Sequence, residues 1–334
     1  MNLRNQNWLV IRLSALGDVV LTTGVLAYLG QKYNLNFYFL TKKSFAPVLD
    51  NNPYVQKTIS VTNKDLNLLA WLKRINELKK DCPHFGLLDL HQNLRSKILK
   101  PIWPGPVKSY PKFSLTRRAY LLTRSSLLKK RLELNVPQRY ALALCDDAPN
   151  ISDLRPRVYL RKEENLWAQE FVAGKGLQAP IICLHPYATH PAKSWPKEFW
   201  LKLIEMMDRH SLSWLVLGQN KRPLIPDHPQ DLTNKTSLRQ TIAILARSQH
   251  LITNDSGPMH LGTAVDTPVL ALFGPTSKEW GFYPSGEKDM VVHLQNPCSP
   301  CSLHGQDRCK NDYRCMRNIS PEMIFKLLLK RIAA

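Results

Sequence analysis

The sequence predicts an α/β protein built from two doubly wound, parallel-sheet domains, and three observations carry the prediction. The chain opens on an apolar strand and a glycine turn that leads into a helix, as doubly wound folds do. The same alternation of strand, polar turn and helix restarts near residue 181. Residues 251–276 then read as a complete βαβ unit. Leu251 and Ile252 end a buried strand, and Asn254, Asp255 and Ser256 are helix-capping residues with Gly257 and Pro258 just inside the first turn. Leu261, Ala264 and Val265 recur at helical spacing, and Pro268 to Phe273 form the second strand. The helix start in this unit offers backbone N–H groups to a phosphate or another anion; the plainer reading is an ordinary capped helix.

Taken in order, Trp8 to Leu13 form a strand, Ser14 to Gly17 a turn, and Asp18 opens a helix through about Leu29. Phe37 to Leu40, Val55 to Val61 and Phe85 to Leu90 are further strands, with a polar-faced helix over 64–80. From Arg95 to Arg139 the pattern loosens: five prolines and twelve basic residues stand against one acid, Glu133. Leu115, Tyr120, Leu121, Leu122, Leu127 and Leu128 within it suggest an amphipathic helix. Pro149, Pro156 and mixed charges mark a linker over 146–165. In the second half, Ile181 to His185 is a strand, Lys197 to Arg209 a helix and Leu212 to Leu217 a strand. Thr236 caps a helix to about Ala246, and Pro321 begins a final helix to Ile332. The domains are therefore expected at 1–155 and 156–319, with 320–334 as a terminal helix packing back on the first. At 334 residues the chain is long enough for two cores, since domains run to roughly 100–200 residues.

Charge is the unusual feature of the composition. The net charge is +20, and 25 basic against 10 acidic residues give +15 for residues 1–160, leaving +5 for 161–334. Such a field attracts polyanions: nucleic acid, an anionic membrane or an acidic substrate. The plainer reading of the 95–139 run is a solvated basic face. No signal-peptide pattern and no run of about 18 apolar residues is seen. Seven cysteines, an odd number spread over both halves, do not resemble a secreted disulfide framework. The expectation is a soluble, cytoplasmic protein.

Three polar loops follow predicted strands, where α/β proteins place ligands: Ser14–Asp18, His185–Lys193 and Asn254–His260. Asp18 is either an N-cap or a carboxylate placed as a general base. Thr189 and Lys193 suit phosphate oxygens through a hydroxyl and a point charge, although Lys193 also reads as a plain surface lysine. Walker A and G-x-G-x-x-G patterns are absent, which disfavours a P-loop NTPase or a typical dinucleotide enzyme. No Asp-x-Asp pair exists to bridge a metal to a nucleotide diphosphate, so lysine, hydroxyls and helix N–H groups are left to neutralise such a group. Cys298, Cys301, Cys309 and Cys315 contain one CxxC pair and two further thiols, which permits a tetrahedral zinc site; a reduced, structural loop is the preferred reading.

These motifs together resemble glycosyltransferase family 9, the ADP-heptose:lipopolysaccharide heptosyltransferases. Ile11 to Val20 is similar to the family's N-terminal signature, and Thr253 to Leu261 with Ala271 to Thr276 to its C-terminal one. Asp231 to Leu238 and the His185–Trp195 loop fall between them in the family's order. The resemblance implies a GT-B fold: two Rossmann-like doubly wound domains facing a central cleft, the first for the acceptor and the second for the nucleotide sugar. It implies an inverting, metal-independent transfer of heptose or a related sugar from an ADP-sugar to the lipopolysaccharide inner core, with no cofactor. Carried over, Asp18 would be the base, and Lys193 and Thr189 would hold the diphosphate. Thr236 would lie near adenine, Asp255 near the sugar, and Ser256, Gly257, Met259 and His260 would support the pyrophosphate through the backbone. Asp89 to Ser96 resembles the acceptor-side turn. The acceptor-side residues are then Ser14 and Arg95, with Arg117 and Arg118 from the basic run. The chain departs from many members in having no acid between Gly218 and Asp227 for the donor ribose.

The basic excess then implies a lipopolysaccharide core or lipid A acceptor and peripheral binding to the anionic cytoplasmic face of the inner membrane. Two other functions compete: a catalytically idle, glycolipid-binding family member, and a basic nucleic-acid-binding protein. Retained Asp18 and Lys193 argue against the first. Against the second, no helix-turn-helix, RNP or OB-like signature is present.

Overall fold

The computed structural model describes residues 6–294, 296–305 and 309–333. The chain divides into two compact units, one of residues 1–113 with 134–159, the other of 114–133 with 160–334.

The first unit is a five-stranded sheet of β1 (Asn7–Ile11), β2 (Asn36–Lys42), β3 (Val55–Val61), β4 (Gly86–Asp89) and β5 (Val107–Ser109), in the order β3-β2-β1-β4-β5. All its pairings are parallel. The second unit has β6 (Ile181–His185), β7 (Ser213–Val216), β8 (His250–Asn254), β9 (Val269–Phe273) and β10 (Met290–His293), in the order β10-β9-β8-β6-β7, again all parallel. β6, β8 and β9 are buried at every position, which is why they read as continuous apolar runs rather than alternations. The strand order reverses between β1 and β4 in one unit and between β6 and β8 in the other, with Ile11 beside Asp89 and His185 beside Thr253. At such a reversal the crossover helices diverge and leave an open crevice at the strands' carboxyl ends.

In the first core, Leu9, Ile11, Leu40 and Leu87 from the sheet meet Trp71, Ile75 and Leu78, which recur on one face of the helix Leu68–Asp81. Each fully buried side chain of this size contributes about 1.5–3 kcal/mol. In the second, Ile182, Leu184, Ile252 and Leu270 pack with Trp200, Leu203 and Met207 of the helix Lys197–Arg209.

Three features differ from the sequence-based expectation. Residues 114–133 fall within the first half of the chain but belong to the second unit. There they form two helices, Ser114–Thr123 and Ser126–Arg131, broken at Arg124, whose φ is +55°. Its anchors are local: Lys129 pairs with Glu279 at 3.0 Å, and the Tyr120 and Trp280 rings meet edge to face. The charge asymmetry between the halves of the chain is consequently not one between the units. The first unit holds 19 basic and 9 acidic residues and the second 27 and 17, so each carries +10. Finally, the helix Pro321–Ile332 is part of the second unit, packing against Lys197–Arg209 and placing Ile324, Phe325 and Leu328 in that unit's core.

Gly24, in the helix Leu16–Tyr33, sets how closely the returning chain approaches. A Cβ there would lie 2.2 Å from the Arg155 carbonyl oxygen and 2.3 Å from that of Leu154. Backbone cannot swing aside as a side chain does. Gly24→Val is therefore expected to reduce stability by about 3 kcal/mol, the upper end for overpacking, read as a lower urea midpoint. An unchanged midpoint would mean the contact is looser than described.

Candidate active site

Each switch point carries a carboxylate paired with a cation. In the first unit the helix begins at Leu16, so Asp18 sits in its first turn, where its carboxylate accepts the Ala15 backbone N–H at 3.1 Å. That satisfies one of the helix's unpaired donors. The same carboxylate pairs with the Arg12 guanidinium at 2.6 Å and accepts the Tyr140 hydroxyl at 3.0 Å. Capping and site placement are thus one arrangement. Arg12 leaves the end of β1 and also donates to the Leu90 carbonyl at 2.5 Å, joining β1 to the turn after β4. Burial opposes Asp18's charge, but Arg12, the Ala15 amide and Tyr140 outweigh it and hold its pKa below the ordinary aspartate value. Tyr140 moves the other way: burial, followed by the Asp18 charge, raises its pKa well above the usual phenol.

Beside them, Asp89 accepts the His91 and Gln92 amides at 2.9 and 2.8 Å and pairs with Lys100 at 3.0 Å. His91 is pushed down to about 4, by burial and then by Arg12, so it is neutral near pH 7; its Nδ1 has no hydrogen-bond partner among the described residues. Ser14 shares the Asp18 turn. Arg95 donates its Nε to the Leu66 carbonyl at 3.0 Å. Arg117 and Arg118 lie in the second unit, Arg117 buried and Arg118 exposed. The four proposed acceptor residues therefore do not form one group within either unit.

In the second unit Lys193 and Asp255 meet at 2.6 Å, and the Thr276 hydroxyl donates to the same carboxylate at 2.6 Å. Asn254 clamps the loop that carries Lys193. Its amide donates to the Pro186 carbonyl at 2.8 Å, and its side-chain oxygen accepts the Trp195 N–H at 3.1 Å. Trp195 is in turn tied to Ile319 by its indole N–H at 2.8 Å. Ser256 is the N-cap of the helix Gly257–Ala264, but its side chain does not cap; it lies 3.1 Å from His185 Nδ1. Burial pushes His185 down to about 4, so its ring is neutral near pH 7, and the Ser256 hydroxyl also donates to the Asn254 carbonyl at 3.2 Å. Because Ser256 is turned aside and Pro258 has no N–H, the helix start is left without a side-chain cap. Met259 and His260 are buried, and the Met259 N–H donates to the Ser256 carbonyl at 3.2 Å. Thr189 is exposed, while Thr236 bonds the Thr241 hydroxyl at 2.9 Å and is followed by the true N-cap, Ser237. Gly218 has φ +133°, and a Cβ there would come within 2.7 Å of Tyr187 and 2.9 Å of His185.

The four C-terminal cysteines are free thiols. Burial, then the neighbouring Cys301, Cys298 and Cys309, raise Cys315 to about 11. Among the described residues no group of three His, Cys, Asp or Glu is arranged to hold a metal, and residues 306–308 of this loop lie outside the description.

Two parallel-sheet α/β units of this kind define the GT-B class of fold. The structure of E. coli ADP-heptose lps heptosyltransferase II superposes with a TM-score of 0.74 at 20% identity, covering 98% of this chain and 99% of that one. The glycosyltransferase family 9 (heptosyltransferase) model matches residues 87–311, and the chain belongs to that family. Lipooligosaccharide heptosyltransferase 2 of Haemophilus influenzae is 29% identical over 169 residues, which is 47% of this chain and 48% of that protein. Lipopolysaccharide heptosyltransferase 1 of Pseudomonas aeruginosa is 24% identical over 88% of this chain and 85% of its own length. The chain spans about half the length of the heptosyltransferase 2 relatives that it matches first.

The Arg12–Asp18 pair has a measurable signature. Arg12→Met removes the largest of the groups that oppose burial and leaves the Ala15 amide and Tyr140, so the Asp18 carboxyl is expected to titrate higher than in the wild type, followed by 13C NMR. In the wild type the folded pKa lies below the unfolded one. The pair's stabilisation is therefore complete above the unfolded value and is lost as pH falls through the folded one. At neutral pH the variant should be less stable by about 3 kcal/mol, as for a broken buried pair. An Asp18 titration that does not move would refute the assignment.

Proposed function

We propose that this chain is an inverting glycosyltransferase that moves heptose, or a closely related sugar, from an ADP-sugar to a lipopolysaccharide inner-core acceptor. The observation that carries the reading is the pairing of Lys193 with Asp255 beside an uncapped helix start, on the loop that Asn254 clamps. Family membership and the likeness to the E. coli ADP-heptose lps heptosyltransferase II support it.

In this reaction the acceptor hydroxyl oxygen forms a bond to the anomeric carbon from the face opposite the leaving group. The bond from that carbon to the diphosphate oxygen breaks, and its electron pair leaves on ADP. The hydroxyl proton passes to Asp18. An aspartate with a lowered pKa is a weak base, but it is ionised and fixed in place, and the hydroxyl grows acidic as the new bond forms. Lys193, the Thr189 hydroxyl and the Ser256–His260 backbone neutralise the departing diphosphate. A diphosphate carries more negative charge than Asp255 and so competes for Lys193, while Thr276 keeps hold of the carboxylate. This arrangement uses no metal, in keeping with the absence of an Asp-x-Asp pair. The preferred role of the four-cysteine loop remains structural.

Asp18→Ala is expected to lower turnover by at least about 10³-fold, within the range for losing a general base, with ADP affinity nearly unchanged. Lys193→Ala should do the converse and weaken ADP binding at least tenfold. Near-native turnover in the first variant, or native ADP affinity in the second, would overturn the assignments.

The acceptor's anionic, membrane-bound setting fits the two-helix segment of 114–133. Leu115, Leu122 and Leu127 are 75%, 85% and 64% exposed there. Arg118, Lys130 and Arg131 are exposed beside them. Exposed leucines among basic residues suit the headgroup boundary of an anionic bilayer. Each basic residue near such a surface contributes about 1 kcal/mol. The variant R118Q/K130Q/R131Q should therefore bind phosphatidylglycerol-containing vesicles roughly a hundredfold more weakly in co-sedimentation. Equal binding by the wild type and the variant would contradict the proposal.

A further inference from the structure

The amino ends of the second unit's strands carry a cavity that the proposed reaction does not use. It has a volume of about 600 Å³ and is lined by Gln249, His250, Lys288 and Arg331, with Pro180 and Pro268 among its apolar walls. These residues lie just before β6, at the start of β8, before β9, before β10 and in the last turn of Pro321–Ile332. The Lys193 loop leaves the other end of β6, and a five-residue strand places the two ends roughly 13 Å apart. The cavity is therefore a separate place on the same unit.

Its polar groups are unevenly satisfied. His250 is only 6% exposed, and its Nδ1 has no hydrogen-bond partner among the described residues. A buried polar atom left unpaired is destabilising, so an orphan on a cavity wall points to a ligand that would pair it. Arg331 donates to the Lys288 carbonyl, but its buried Nε is also without a partner. Lys288 is exposed and forms no ion pair among the described residues. The neighbouring carboxylate, Asp289, is occupied by the Thr263 hydroxyl and the Val269 and Gly286 amides, at 2.7, 2.9 and 2.7 Å. Glu287 is exposed and is not among the lining residues. Burial, then Arg331 and Lys288, push His250 down to about 4, so the ring is neutral and its Nδ1 is able to carry the proton that a ligand oxygen would accept.

We propose that this cavity is a second ligand site, for a phosphate-bearing small molecule. Lys288 and Arg331 supply the charge, His250 Nδ1–H donates to a phosphate oxygen, and Pro180, Pro268 and Ile332 face the organic part. Charge-assisted bonds from a guanidinium and an ammonium suit phosphate, and the volume is that of ordinary small-molecule sites, roughly 300–1,000 Å³.

The test is a titration of the full chain, 15N-labelled at histidine, with inorganic phosphate and with ribose 5-phosphate, against chloride at equal ionic strength. The His250 signal is assigned by its loss in His250→Gln. The expected result is a saturable His250 shift that weakens at least tenfold in K288Q/R331Q and persists in Lys193→Ala. Tighter binding of ribose 5-phosphate assigns the site to a phosphorylated metabolite, and equal binding assigns it to free phosphate. No saturable shift, or a shift that depends on Lys193 and not on Lys288 and Arg331, would overturn the proposal. Both substituted residues lie at the surface end of the sheet, and an unchanged ligand-free melting temperature shows that the fold is retained.

Discussion

A carboxylate drawn out of water at the end of a central strand must be given a cation, and this protein meets that requirement at both of its switch points. Arg12 stands 2.6 Å from Asp18 and Lys193 stands 2.6 Å from Asp255. An unpaired buried charge would cost several kcal/mol, so each pair fixes the loop on which it sits. Arg12 binds β1 to the turn after β4, and Lys193 binds the loop after β6 to the start of the Gly257–Ala264 helix. The parallel sheet explains why both pairs fall where they do. Reversal of strand order opens a crevice at the carboxyl ends of β1 and β4, and again at β6 and β8, and polar side chains there are not sealed in by crossover helices. In the proposed reaction the two pairs have different fates. Asp18 keeps its arginine and takes a proton, whereas Lys193 exchanges its carboxylate for a diphosphate.

Much of this was legible in the sequence because it is local. Val55–Val61, Ile181–His185, Lys197–Arg209 and Pro321–Ile332 stand where the apolar pattern and helix signals put them. The three polar loops follow β1, β6 and β8 as expected. β5 and β10 escaped: one is three residues long in a proline- and lysine-rich stretch, the other four residues with little burial, so neither has a strand's periodicity. Tyr140 gave no signal either, since it reaches Asp18 across 122 residues of chain. Arg12 did have one, a lone charge at the end of an apolar strand, but it reads as an interruption until its partner is known.

The basic run is the clearest case of a correct local observation with the wrong tertiary address. Its amphipathic pattern was visible, and two helices are there, but position along the chain does not say which core a segment joins. Tyr120 beside Trp280 and Lys129 beside Glu279 assign it to the second unit. The charge excess is then shared equally, and the second unit carries three separate basic places proposed to meet anions: the Lys193 loop, the 114–133 face and the cavity at His250. The first two serve the proposed donor and acceptor, and the third lies at the opposite end of the sheet.

The central claim is that a sugar leaves a nucleoside diphosphate with inversion. It is tested most directly by incubating the protein with a panel of nucleotide sugars and a lipopolysaccharide inner-core acceptor, then measuring diphosphate release and the anomeric configuration of the product by NMR. The expected result is ADP release from ADP-heptose, dependent on acceptor, with the anomeric configuration inverted. Product of retained configuration, or no acceptor-dependent release from any donor, would contradict it.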